Sequence, residues 1–166
     1  VALVKAAETG ATEVGEAFQV GDPFPFQIAG NLFPLIGDIE TEWGATTEEN
    51  KMILESRKIL NQPDLQIQVS CVRVPVARCH SESVSLIFER EVDLAKARKI
   101  LQSAPGASLV DDALQPPQPV DCSCQHDVFI GRLRQSEPNV LQLWAVGDQL
   151  LKGAALNALQ IALKLP

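Results

Sequence analysis

A chain of 166 residues, 46% of them hydrophobic, is long enough to bury one sizeable core, and a single domain is the expectation. Its formal charge of -7 argues against a surface built for nucleic acid or anionic membrane, because the mean field repels phosphates; an anionic ligand would have to be held by local positive charge. No apolar run approaches the roughly 20 residues of a membrane span, and residues 1–10 lack the basic-then-apolar plan of a signal peptide, so a soluble, cytoplasmic chain without membrane or nucleic-acid partners is expected.

Residues 1–15 open without a methionine and carry Gly10 and Gly15 inside a weakly helical pattern, as though an element had been entered partway; the chain reads as cut. The clearest helix covers 46–61. Thr46 and Glu49 form a capping box, Met52, Ile53, Ile59 and Leu60 recur at helical spacing, and Pro63 ends the run. Over 65–75 the period changes to two, which predicts a strand with Ile67, Val69, Cys71 and Arg73 on one face. A second strand is predicted over 83–89, then a short amphipathic helix capped by Asp93 over 93–102. The turn at Pro105 and Gly106 leads to a short strand at 108–110 and a proline-broken loop around Pro116, Pro117 and Pro119. Strands resume at 128–134 and 140–146. Residues 148–165 predict a helix capped by Asp148 and apolar almost all round, a pattern that requires partner surface on several sides. The order of elements favours an α+β fold, with a mixed or antiparallel sheet and helices on one face. No nucleotide-binding glycine loop is present, so a nucleotide fold is not expected within this chain.

Four side chains stand out chemically. Arg73 carries a permanent charge on a half-apolar strand face, where it needs an anion, either a ligand carboxylate or phosphate or a structural partner such as Glu82. His80 is placed past a loop from Arg73 and is either a proton shuttle near an anion site or a surface-loop histidine. Glu48 and Lys51, three residues apart on the first turns of their helix, are either a solvated ion pair or a site for a zwitterion. His126 has only the surface reading. The types Cys122, Cys124 and His126 suit zinc, but no second ligand pair lies at zinc-ribbon spacing; a reduced, cysteine-bearing connection with no metal is expected.

The motifs Gln27-Ile28-Ala29 with Asn31, Thr47-Glu48-Glu49-Asn50-Lys51-Met52, Cys71-Val72-Arg73-Val74-Pro75-Val76 running to His80-Ser81-Glu82-Ser83, Val128-Phe129-Ile130-Gly131-Arg132-Leu133-Arg134, and Gly147-Asp148-Gln149-Leu150-Leu151-Lys152-Gly153-Ala154-Ala155 resemble, in this order, the aspartate-semialdehyde dehydrogenase family. The resemblance spans about residues 26–163. It implies a fold like the C-terminal domain of glyceraldehyde-3-phosphate dehydrogenase and an NADPH-dependent reductive dephosphorylation of L-4-aspartyl phosphate to L-aspartate 4-semialdehyde in amino-acid biosynthesis, through a thioester on a cysteine. It further implies that Arg73 holds the substrate carboxylate, Glu48 its amino group and Lys51 its phosphate, that His80 is the acid/base, and that Gln149 reaches the nicotinamide end of NADP.

The chain departs from the family in lacking the amino-terminal nucleotide domain and the nucleophilic cysteine, a role that none of Cys71, Cys79, Cys122 and Cys124 takes. The resemblance therefore implies a substrate-binding and dimerisation domain over 1–147, incomplete at its amino-terminal edge, and a terminal helix over 148–166 that packs on the absent NADP-binding domain. Expected partners are a second copy in a homodimer or tetramer, that nucleotide domain and a small-molecule substrate. The alternatives are a non-catalytic dimerisation module derived from the family, and a relative of the N-acetyl-glutamyl-phosphate reductases, whose acylated amine would give Glu48 no cation to bind.

Overall fold

A computed structural model describes residues 24–40 and 42–165; the helical pattern read for 1–15 lies outside the described residues. The chain divides into two compact units, Val1–Pro75 and Val76–Pro166.

In the first unit, helix α1 (Thr47–Ile59) starts as the sequence dictates. Thr46 accepts from the Glu49 amide and Glu49 returns a bond to the Thr46 amide, so two N–H groups left over at the helix start find partners. Its stop is set by Asn61 rather than Pro63. Asn61 takes a left-handed φ of 52°, and the Asn61 and Gln62 amides donate back to the Lys58 and Arg57 carbonyls, closing the last turn before the proline is reached. Arg57 Nε then donates to the Leu65 carbonyl at 2.8 Å and anchors the start of the next segment.

That segment, 65–72, forms no strand, yet its burial alternates as period two requires: Ile67, Val69, Cys71 and Arg73 are half-buried, while Gln66, Gln68, Ser70 and Val72 are exposed. The strand expected here differs in one respect. Among the described residues its ladder is one antiparallel bridge, Arg73 to Phe33, with both amides donating across it at 2.9 and 3.1 Å. The apolar alternation specifies which face is covered, but carries no information about which backbone supplies the hydrogen bonds.

The second unit is a mixed four-stranded sheet with helices, as the α+β reading requires. Its strands are β1 (His80–Ile87), β2 (Ala107–Val110), β3 (Val128–Glu137) and β4 (Val140–Gly147), in the order β1-β4-β3-β2. β4 lies antiparallel to both β1 and β3, and β2 is parallel to β3. Helix α2 (Leu94–Ser103) is capped by Asp93, as expected. The proline-rich connection contains one turn of helix, α3 (Pro119–Cys122), which buries Cys122 beside Cys79 and Val146, with Phe129 and Trp144 packed against them. The last helix departs from expectation. It opens as a π-helical turn (Leu151–Ala155) and becomes α4 (Leu156–Ala162) only afterwards. The Asp148 carboxylate occupies the Leu150 and Leu151 amides, and the Asp148 carbonyl is reached by Gly153 five residues on.

β3 carries a bulge between Gly131 and Arg134, where Arg132 adopts a φ of 54°. Just before it, a Cβ at Gly131 would lie 2.3 Å from Pro117 Cδ. The Pro117 ring cannot yield easily, because its carbonyl accepts the Trp144 indole N–H at 2.9 Å. Gly131→Ala is therefore expected to cost about 1–3 kcal/mol. The measurement is urea unfolding, with a lower midpoint at unchanged slope; an unchanged midpoint would contradict the packing.

Candidate functional site

The candidate residues of the first unit are assembled on α1 and the extended segment. Glu48 and Lys51 form an ion pair at 3.1 Å on the first turns of α1, with side chains 39% and 51% exposed. The Glu48 carboxylate, bonded to the Lys51 ammonium and adding its charge, holds that ammonium above its ordinary value. Exposed pairs of this kind contribute little to stability, so both charges are free to exchange each other for a ligand at small cost. Arg73 stands in no ion pair among the described residues; its guanidinium lies over the Phe24 ring, 5.5 Å from the centroid. The aromatic face supports the cation without neutralising it.

Glu49, which spacing marked only as a cap, does more. Its second carboxylate oxygen accepts the Cys71 amide at 3.0 Å, two residues before Arg73. The bonds from the Thr46 and Cys71 amides outweigh burial and hold this carboxyl below its ordinary value, so it stays charged and keeps α1 joined to the Arg73 segment.

In the second unit, His80 is the first residue of β1, exposed, and opposite Gly147 in the antiparallel ladder. It therefore lies on a strand end, three residues ahead of the start expected at 83, and not in a surface loop. The pairing of 80 with 147 brings residues 78–79 beside 148–149, and side chains continue the register after the strands stop. Arg78 Nε donates to Asp148 Oδ2 at 2.7 Å, and the Cys79 amide donates to Gln149 Oε1 at 2.7 Å. Asp148 is fully buried and also accepts the Cys124 amide at 2.7 Å and the Leu150 and Leu151 amides at 3.0 and 3.2 Å. Burial pushes its carboxyl up, but these four donors outweigh burial and hold it down at about 2.

Because a backbone N–H can only be met by the amide oxygen of Gln149, that side chain's orientation is fixed and its Nε2 group is the one left to donate elsewhere. A free Nε2 group of this kind can give one hydrogen bond to a carbonyl acceptor. Among the described residues, no group of three or more His, Cys, Asp or Glu side chains is arranged to hold a metal ion, and no helix is long and apolar enough to cross a membrane. His126 and Cys124 are exposed, and Cys122 is buried. Spacing marked Arg78 for no role. Its only signal was a charge two residues before His80, and its partner is 70 residues away in sequence.

The model of the semialdehyde dehydrogenase dimerisation domain matches residues 4–152. The chain belongs to that family. It is 46% identical over 142 residues to the aspartate-semialdehyde dehydrogenase of Prochlorococcus marinus, covering 83% of this chain and 41% of the relative. It is 47% identical, again over 142 residues, to that of Synechocystis, covering 83% and 42%. A solved structure, aspartate semialdehyde dehydrogenase II of Vibrio cholerae complexed with ASA, superposes with a TM-score of 0.81 at 36% identity, over 86% of this chain and 43% of that one. The dimerisation domain thus spans less than half the length of the relatives it matches.

The Asp148 network gives this domain a defined acid response. The carboxyl sits at about 2 when folded against an ordinary 3.8, so its contribution is fully present above pH 3.8 and is lost as the pH falls from there through about 2. Asp148→Asn is expected to be less stable at neutral pH, with the gap from the wild type narrowing across that window. Urea midpoints at stepped pH measure it; a gap independent of pH would remove Asp148 from the charged role.

Proposed function

We propose that the chain is the substrate-binding part of an aspartate-semialdehyde dehydrogenase that reductively dephosphorylates L-4-aspartyl phosphate to L-aspartate 4-semialdehyde. The observation that carries the reading is Arg73, half-buried and without a carboxylate partner among the described residues, on a chain whose family and relatives handle an amino-acid semialdehyde. In this reading Arg73 takes the substrate carboxylate through its two-pronged guanidinium, and Glu48 takes the ammonium. Lys51 gives up its pairing with Glu48 to meet the phosphate. His80 moves the proton at the carbonyl oxygen of the reacting carbon, and Gln149 Nε2 donates to the cofactor's carboxamide. NADPH supplies the hydride when bound. The nucleophilic cysteine and most of the cofactor site belong, in this proposal, to a nucleotide-binding domain outside these 166 residues.

The terminal segment supports the same arrangement. Leu150, Leu159, Ile161, Leu163 and Leu165 are each more than half exposed, and a row of large apolar side chains of this kind is a surface for covering. We place residues 1–147 in the substrate-binding and dimerisation domain and assign 148–166 to packing against the nucleotide domain. A second copy of the chain is the partner that the family description itself indicates.

The test is kinetic, in a polypeptide that joins this chain to the nucleotide-binding domain of a relative. Arg73→Ala is expected to raise KM about 10- to 100-fold, the loss of one charge-assisted pair. His80→Ala is expected to lower kcat about 10²- to 10⁴-fold with little change in KM. The chain alone is expected not to turn over substrate. Unchanged constants in both variants would refute the site, and a Glu48→Lys variant with unchanged KM would point to an acylated substrate.

A further inference from the structure

Three of the four cysteines gather in the second unit. Cys79 and Cys122 belong to one buried cluster with Val146, and are 6% and 2% exposed; Cys124 follows on the same loop and is exposed. Cys79 and Cys124 both hold a left-handed backbone, with φ of 78° and 62°, where glycine fits without the crowding of a Cβ. Among the described residues no set of three metal ligands is arranged around either. Two segments about forty residues apart in sequence therefore each hold a thiol in this one cluster.

We propose that Cys79 and Cys122 are a thiol pair that a hydroperoxide converts to a disulfide. The Cys79 sulfur attacks one peroxide oxygen, the O–O bond breaks, and Cys79 becomes a sulfenic acid as one water or alcohol leaves. The Cys122 sulfur then attacks the sulfenic sulfur, the S–O bond breaks, and a water departs with the remaining proton. The two thiols lose two electrons, which the peroxide takes up. The order follows from the surroundings. Burial, together with the nearby Cys79 sulfur, pushes the Cys122 thiol up and makes it the poorer first nucleophile. The Cys79 sulfur lies 3.6 Å from the Ser123 hydroxyl, which is itself anchored on the Pro119 carbonyl at 2.7 Å. A polar group thus stands where the sulfenic hydroxyl forms. The disulfide ties the residue before His80 to α3, and so acts on the backbone whose amide orients Gln149.

The experiment treats the chain with hydrogen peroxide, alkylates the remaining thiols and maps the peptides without reduction by mass spectrometry. The expected product is a linked peptide pair containing Cys79 and Cys122, lighter by two hydrogens and separated again by dithiothreitol. Cys71→Ser and Cys124→Ser chains are expected to form the same link, and Cys79→Ala or Cys122→Ala to abolish it. The map of the unaltered chain decides the matter even where a variant fails to fold. A link through Cys124, or alkylatable Cys79 and Cys122 after peroxide has already oxidised Cys124, would overturn the proposal.

Discussion

A fully buried carboxylate in a chain this size has to be met by donors on every side, because the cost of removing it from water exceeds what one partner returns. Asp148 meets that condition with a guanidinium from Arg78 and amides from Cys124, Leu150 and Leu151. The four donors come from three separate stretches: the entry to β1, the loop after α3, and the start of the terminal helix. No one stretch can shift without taking a donor away from the buried carboxylate. Gln149 follows directly on the fixed Asp148, and His80 at the end of β1 lies two residues beyond Arg78, which the same carboxylate holds.

The first unit solves a similar problem with a second acid. Glu49 joins the start of α1 to the segment that carries Arg73, and its two oxygens face two backbone amides. In each unit, then, a buried acid holds backbone within two residues of a candidate site residue: Glu49 at Cys71 before Arg73, and Asp148 beside Gln149. Glu48 and Lys51 pair only with each other at an exposed position, and the Arg73 guanidinium rests on an aromatic ring. The backbone is fixed by buried acids while the candidate charges stay exchangeable, the arrangement that the proposed site uses.

Much of this was legible in the chain because it is written in local patterns. Thr46 and Glu49 specify a capping box wherever they stand three apart before a helical run, and the alternation from Ile67 to Arg73 specifies the covered face whatever the partner strand. Other features depend on partners distant in sequence. Arg78 gave no sign of being a partner to a residue at 148. The bulge at Arg132 left no mark, because burial of Gly131 and Leu133 continues the alternation straight through it. The first turn of the terminal helix was misread for a related reason. Apolar spacing decides which residues seek cover, but the hydrogen-bond register was decided by the Asp148 side chain competing for the first amides.

Apolarity in the terminal segment and conformation at Cys79 and Cys124 show two kinds of local disagreement between sequence and structure. Leucines left more than half exposed at 150, 159, 163 and 165 conflict with the hydrophobic effect, and that conflict is removed by adding surface from outside the described residues. Cysteines at left-handed φ conflict with backbone sterics, and no added surface removes that; the cost stays whatever binds. A residue held against such a cost has to be held by contacts that offset it. Cys79 places its sulfur in the buried cluster with Cys122 and Val146, and Cys124 gives its amide to the Asp148 carboxylate, so the strained backbone and the exposed helix call for different explanations: contacts within the unit for the first, cover from beyond it for the second.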